Sequence, residues 1–203
     1  MNITEAIHKG YKFLKKNNIE SALLDSEILL SKIIKKSKKF IILNPNKNLK
    51  KNSFIEFNNL IRQRSDGKPI AYLTGTKDFW KYEFYITEDV LIPRPDTELI
   101  VEEVLKFSKH KTKLSILDIG AGSGCILISI LKERKDFRGV GIDLSKKCID
   151  LCKKNALKLN ISNKVKFFKS NVDNFSYGKY DLIISNPPYI KNFKLKYLEK
   201  DVS

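Results

Sequence analysis

Arginine, histidine, cysteine and long apolar runs are all scarce in this 203-residue chain, and each shortage narrows what it can be. The longest uncharged apolar stretches, such as residues 126–131, are a handful of residues long, far below the ~20 that a spanning helix needs. The opening Met1-Asn2-Ile3-Thr4-Glu5 places no basic segment ahead of an apolar core, so no signal peptide is expected. The expectation is a soluble cytoplasmic protein with no membrane partner. His8 and His110 stand alone, without ligand-spaced neighbours, and no metal site is expected. Cys125, Cys148 and Cys152 form no Cys-x-x-Cys pair, and their odd number indicates reduced thiols. Cys148 and Cys152 lie four apart in a helical stretch, where small buried thiols are common.

What the chain has in abundance is lysine. Its 39 basic residues against 23 acidic ones give a net charge of +16, yet only five are arginine (62, 64, 94, 134 and 138). Two readings stand. A charge this large steers a protein toward nucleic acid, ribosomes or an acidic protein. Frequent Lys, Ile and Asn together also follow from codon choice in an AT-rich genome, and the shortage of arginine favours that reading, since base recognition favours arginine forks. With 42% hydrophobic and 31% charged residues, the chain can build a core, which excludes a wholly disordered one.

The first 75 residues read as short helices. Ile7, Tyr11 and Leu14 form one apolar stripe, Leu24, Ile28 and Ile33 a second, and Phe54, Phe57, Leu60 and Ile61 a third. Ser53-Phe54-Ile55-Glu56 fits a capping box, and Asn44-Pro45-Asn46 breaks the pattern between helices. Residues 76–95 change character: Phe79, Trp80, Tyr82, Phe84, Tyr85 and Ile86 suggest a hairpin or extended connector. Pro93 and Pro95 then stop any strand, and Asp96 or Thr97 can cap a helix over 98–107. From residue 113 strands alternate with helices: strands at 114–119, 139–143, 165–168 and 181–185, helices at 125–133 and 146–159. Such alternation predicts an α/β domain with a parallel, doubly wound sheet over 96–203.

Gly120-Ala121-Gly122-Ser123-Gly124 sits where the first strand ends and a helix begins, preceded by Asp118. Glycines there let the backbone turn sharply and approach a ligand, with helix N–H groups facing it. Asp143 ends the next strand, 19 residues beyond Gly124, where a carboxylate can accept from both hydroxyls of a ribose. The spacing is Gly-x-Gly-x-Gly, not the Gly-x-Gly-x-x-Gly of dinucleotide folds. It resembles the S-adenosylmethionine loop of Rossmann-like methyltransferases. That resemblance implies a loop lying along the methionine part of the cofactor, with Asp143 on the ribose.

Asn186-Pro187-Pro188-Tyr189 follows the last strand, at the carboxyl edge where open α/β sheets bind ligands. Tandem prolines stiffen the backbone and remove two N–H donors, leaving carbonyl acceptors. The Asn side chain adds another acceptor and the Tyr an aromatic face. A set of acceptors suits a substrate –NH₂ group. An amide nitrogen is a poor nucleophile, and acceptors on its two hydrogens orient it and favour the developing positive charge of its transition state.

The Asn-Pro-Pro-Tyr motif is shared by amino methyltransferases acting on adenine N6, cytosine N4 and glutamine N5. Three further stretches resemble the peptide chain release factor N5-glutamine methyltransferase family: Gly67-Lys68-Pro69-Ile70-Ala71-Tyr72-Leu73-Thr74-Gly75, Phe79-Trp80, and Ile92-Pro93-Arg94-Pro95-Asp96-Thr97-Glu98. The resemblance implies methyl transfer to the glutamine of the Gly-Gly-Gln loop of class 1 release factors. It implies that Asn186 and the Pro187 carbonyl accept from that amide, with Pro188 and Tyr189 against the substrate. Gly120, Ala121, Gly122, Ser123, Gly124, Asp143, Asn171, Val172 and Asn186 would hold the cofactor. Residues 1–75 would grip the release factor, and direct nucleic-acid binding would not be required.

Two departures from the family pattern stand out. Where the family has Ser-Asp-Trp near the adenine, this chain has Ser170-Asn171-Val172, which keeps a polar edge but loses the aromatic surface. Family members also continue well past Asp201-Val202, whereas this chain ends at Ser203. The expectation is therefore a Rossmann-like sheet incomplete at its C-terminal end, with the strand at 181–185 as an apolar edge. Alternatives are a nucleic-acid adenine-N6 or cytosine-N4 methyltransferase, which would need base flipping, and an inactive fragment that binds release factor without turnover.

Overall fold

The computed structural model of the chain describes residues 1–187, which fall into two compact units divided after Thr74. The first is helical, with α1 (Ile3–Lys16), α2 (Ala22–Ile34), α3 (Lys38–Leu43), α4 (Lys51–Ser65) and α5 (Ile70–Thr74). Its core gathers Ile3, Leu14, Leu29, Leu30, Phe57 and Ile61. α1 opens on a capping box: Asn2 Oδ1 accepts from the Glu5 N–H at 2.9 Å, and Glu5 Oε2 accepts from the Asn2 N–H at 3.0 Å.

Two local expectations for this unit fail. The box expected at Ser53–Glu56 does not start a helix, because α4 already begins at Lys51. Lys50 takes the extended conformation of a helix-start residue, so Ser53 is left within the first turn. On α2 the predicted stripe is rotated. Leu24 is exposed and Ile33 packs against the core only partly buried, while Ala22, Asp25, Ser26, Leu29 and Leu30 are buried. A charged residue holds the core face because its charge is met there: Asp25 Oδ2 accepts from Arg64 Nε at 2.7 Å and from Ser21 Oγ at 2.8 Å.

The second unit opens with an antiparallel hairpin of β1 (Thr76–Phe79) and β2 (Tyr82–Tyr85). Phe79 and Phe84 bury their rings in the same core as Ile116, Leu127 and Ile128. The turn is tied down through Glu133, whose carboxylate accepts from Trp80 Nε1 (3.1 Å), Tyr82 Oη (3.0 Å) and Lys81 Nζ (2.9 Å). The Phe79-Trp80 pair is thus a packing device, joining hairpin to helix.

A 3₁₀ turn at Pro95–Thr97 leads into α6 (Glu98–Phe107). There follow β3 (Ser115–Ile119), α7 (Cys125–Glu133), β4 (Arg138–Asp143), α8 (Lys146–Lys158), β5 (Val165–Lys169) and β6 (Leu182–Ser185). The four strands are parallel, in the order β5-β4-β3-β6. This is the α/β, Rossmann-like arrangement that the alternation predicts. α7 is apolar on almost every side, and Cys125 to Leu131 are all buried, so its short run is a core helix.

The chain winds outward from β3 to β5 and then returns to place β6 on the other side of β3. Strand order therefore reverses between β3 and β6, and the crevice for a ligand opens at their carboxyl ends. Among the described residues β6 is an edge strand, with Ile184 buried and Ile183 exposed. No described helix is long and apolar enough to cross a membrane.

Candidate active site

The loop between β3 and α7 turns on three glycines with positive φ, at +75° (Gly120), +57° (Gly122) and +79° (Gly124). Side chains rarely tolerate that conformation. Two of the three have opposite surroundings. A Cβ on Gly120 would meet nothing within 4 Å, so that face of the backbone is open. A Cβ on Gly124 would lie 3.0 Å from Ile128 Cδ1 and 3.2 Å from Cys152 Sγ, so this glycine lets α7 and α8 close together.

The loop is pinned from several sides. Gly120 and Ala121 both donate to the Ile142 carbonyl, at 2.9 and 3.0 Å. Asp143, at the end of β4, accepts from the Gly122 N–H through Oδ2 (3.0 Å) and from the Ser145 N–H through Oδ1 (2.8 Å). Each carboxylate oxygen thereby spends one acceptor site on the backbone and keeps the other. Asn155, buried on α8, donates from Nδ2 to the Ser123 carbonyl at 2.9 Å.

A cavity of about 440 Å³ lies over the carboxyl ends of β3, β4 and β6. Of the residues singled out from sequence, Gly120, Gly122, Asp143, Asn171, Val172, Asn186 and Pro187 all line it. Ala121 and Ser123 line a smaller neighbouring cavity of about 80 Å³, which Asn186 also borders. Gly124 lines neither. Pro188 and Tyr189 lie outside the described residues. Asn171 uses Oδ1 to accept from the Asp173 N–H at 3.3 Å, which caps the short turn that carries Val172. Asn186 donates from Nδ2 to Thr97 Oγ1 at 3.2 Å.

Sequence reasoning missed several apolar wall residues, including Val90, Leu91 and Leu144. Leu144 is 70% exposed and Val172 47%, an unusual solvent share for side chains lining one cavity. Position right after the acidic strand end was the available signal for Leu144. Nothing in the 76–95 segment marked Val90 or Leu91.

The electrostatics beneath the loop are unusual. Asp118 is fully buried, and neither carboxylate oxygen has a hydrogen-bond partner among the described residues. Burial pushes its pKa up to about 7, and the Asp143 charge adds to the rise. The Leu127 N–H, outside hydrogen-bond geometry, offsets part of it. The thiols are free and buried. Burial holds Cys125 up at about 12, Cys152 well above the ordinary thiol range, and Cys148 above it, so none is poised as a thiolate nucleophile.

Two family descriptions match the chain in succession: "PrmC N-terminal domain" over residues 5–75 and "Methyltransferase small domain" over residues 95–199. The chain is 39% identical over 202 residues to the release factor glutamine methyltransferase of Buchnera aphidicola subsp. Schizaphis graminum, covering 100% of this chain and 72% of that protein. It is 40% identical over 196 residues to the protein of that name from Buchnera aphidicola subsp. Baizongia pistaciae, covering 95% and 69%. With the one from Clostridium acetobutylicum it shares 36% over 205 residues, covering 100% and 72%.

The chain belongs to the release factor glutamine methyltransferase family. Its methyltransferase match spans the glycine loop, Asp143 and the Asn-Pro-Pro-Tyr motif, and its other match takes in the five-helix unit. The family resemblance read from the motifs is thus met across the whole length of the chain.

Proposed function

We propose that this chain methylates the side-chain amide nitrogen of the glutamine in the Gly-Gly-Gln loop of class 1 peptide chain release factors, with S-adenosylmethionine as methyl donor. The observation that carries the reading is the convergence of Gly120, Gly122, Asp143, Asn171, Val172, Asn186 and Pro187 on one cavity at the strand-order reversal. Family membership favours a release factor glutamine among the acceptors an Asn-Pro-Pro-Tyr motif can serve. The reaction belongs in the cytoplasm, where release factors work, and direct contact with nucleic acid is not needed for it.

The residues present fit the donor. The free acceptor sites on Asp143 suit a ribose diol, and the open face of Gly120 admits a ligand against the backbone. Leu144 and Val172, both exposed within the cavity wall, offer apolar surface to a heterocycle where the family pattern has an aromatic side chain. When bound, S-adenosylmethionine supplies an electrophilic methyl on a positively charged sulfur.

The chain's own work is orientation and charge stabilisation. Asn186 Oδ1 and the Pro187 carbonyl accept the two amide hydrogens, which fixes the nitrogen and favours the positive charge it gains. Neither residue is a base, and none is required: the amide proton becomes strongly acidic only as the nitrogen acquires its new bond, and water takes it. Residues 1–75, whose helices pack around a core of their own, grip the release factor.

The test is mass spectrometry of purified release factor after incubation with this chain and S-adenosylmethionine, beside a Gln→Ala version of the Gly-Gly-Gln loop. A gain of one methyl group on the normal factor alone is expected. No gain on release factor, with transfer to DNA oligonucleotides instead, overturns the reading in favour of a nucleic-acid amino methyltransferase.

A further inference from the structure

The Ile92-Pro93-Arg94-Pro95-Asp96-Thr97-Glu98 stretch is one of those that carry the family resemblance, yet the cofactor and substrate roles above leave Thr97 with nothing to do. Thr97 occupies the N-cap position of α6, where a threonine hydroxyl normally accepts from a free N–H of the first helical turn. Here it makes no such bond. Its Oγ1 accepts from Asn186 Nδ2 at 3.2 Å, across 89 residues of sequence. Both side chains border the smaller cavity, and Asn186 borders the larger one as well.

From this geometry we propose that Thr97 is the positioning residue for Asn186. The proposal rests on the acceptor role given to Asn186 above. A side-chain amide has a donating end and an accepting end, and only the accepting end can hold an –NH₂ substrate. A hydroxyl can serve either end. The arrangement observed occupies Nδ2 and leaves Oδ1 for the substrate, whereas the flipped one would turn Nδ2 toward the substrate –NH₂, donor against donor. Thr97 itself is firmly held: Pro93 and Pro95 restrict the backbone before it, and its N–H donates to the Arg94 carbonyl at 3.0 Å. A rigid anchor on one side of the catalytic amide limits the positions that Asn186 samples, which is where rate is lost most steeply.

The test compares Thr97→Val, which keeps shape but loses the hydroxyl, with Thr97→Ser, which keeps the hydroxyl. Both are measured on whole release factor, in the wild-type and Asn186→Ala backgrounds. Thr97→Val is expected to lower kcat about tenfold with the KM for S-adenosylmethionine unchanged, and Thr97→Ser to restore most of the rate. In the Asn186→Ala background Thr97→Val should have no further effect, the coupling expected of residues that act through one contact. A melting temperature close to wild type checks that α6 is intact. An unaltered kcat for Thr97→Val beside a crippled Asn186→Ala overturns this inference alone, as does an equal loss in both backgrounds. Normal turnover by Asn186→Ala overturns the reading beneath it as well.

Discussion

Asn155 holds Ser123. Its Nδ2 donates to the Ser123 carbonyl in the glycine loop at 2.9 Å and to the Tyr85 carbonyl at 3.1 Å, while its Oδ1 accepts from the Tyr85 N–H at 2.7 Å. One fully buried amide on α8 therefore joins the loop to the edge of the hairpin. Asn155→Leu removes all three bonds, the one to Ser123 buried and the two to Tyr85 partly buried. The expected cost is on the order of 3 kcal/mol of stability, read by urea unfolding, together with weaker S-adenosylmethionine binding by calorimetry.

Asp143 carries two loads, the loop amides of Gly122 and Ser145 and the proposed ribose contact. Asp143→Ala should weaken S-adenosylmethionine binding by roughly 10- to 100-fold, the scale of hydrogen bonds to a charged acceptor. Asp143→Asn should fall between the two, because it keeps one acceptor oxygen. Unchanged affinity in equilibrium dialysis would remove Asp143 from the cofactor site.

Asn186→Ala removes the acceptor proposed to orient the amide nitrogen. Turnover of release factor should fall by at least ~10²-fold, since positioning and charge stabilisation are lost together. Cofactor affinity should fall far less, because Gly120 and Asp143 remain in place. Single-turnover kinetics on saturated enzyme separates the two effects.

Asp118 makes stability depend on pH in the direction opposite to a salt-bridged carboxylate. Its folded pKa is raised from 3.8 to about 7, so the folded state holds a proton that the unfolded chain has already released. No penalty applies below the unfolded value. Stability is lost progressively as pH rises between the two values, reaching about 4 kcal/mol above the folded one. Asp118→Asn, which cannot ionise, should gain on wild type as pH rises from 5 to 8. Parallel melting curves across that range would disprove the raised pKa.

Much of this fold is legible in the amino-acid sequence. The strand and helix alternation is a periodicity property, and short apolar strands followed by glycine or an acid leave little freedom about where a parallel sheet begins and ends. The glycine loop and the Asn-Pro-Pro-Tyr motif are readable for a similar reason: positive φ and a missing N–H are demands of the local backbone, met by few residue types. The errors were local as well. At Ser53–Glu56 a capping pattern occurred inside a helix, because a cap depends on the conformation of the capping residue and not on its spacing alone.

What the amino-acid sequence determined by itself was the α/β class and the order of the strands and helices that build the sheet. The tertiary structure alone decided which side chains meet. It placed Asn186 against Thr97 and sent Gly124 into packing while Gly120 stayed open to the cavity. It also turned Asp25 inward to meet Arg64 and left Asp118 buried without a hydrogen-bond partner among the described residues. The physical reason is the range of the forces concerned. Backbone preference acts within a few residues and is written in sequence, whereas desolvation, side-chain pairing and the walls of a cavity depend on neighbours brought from far along the chain.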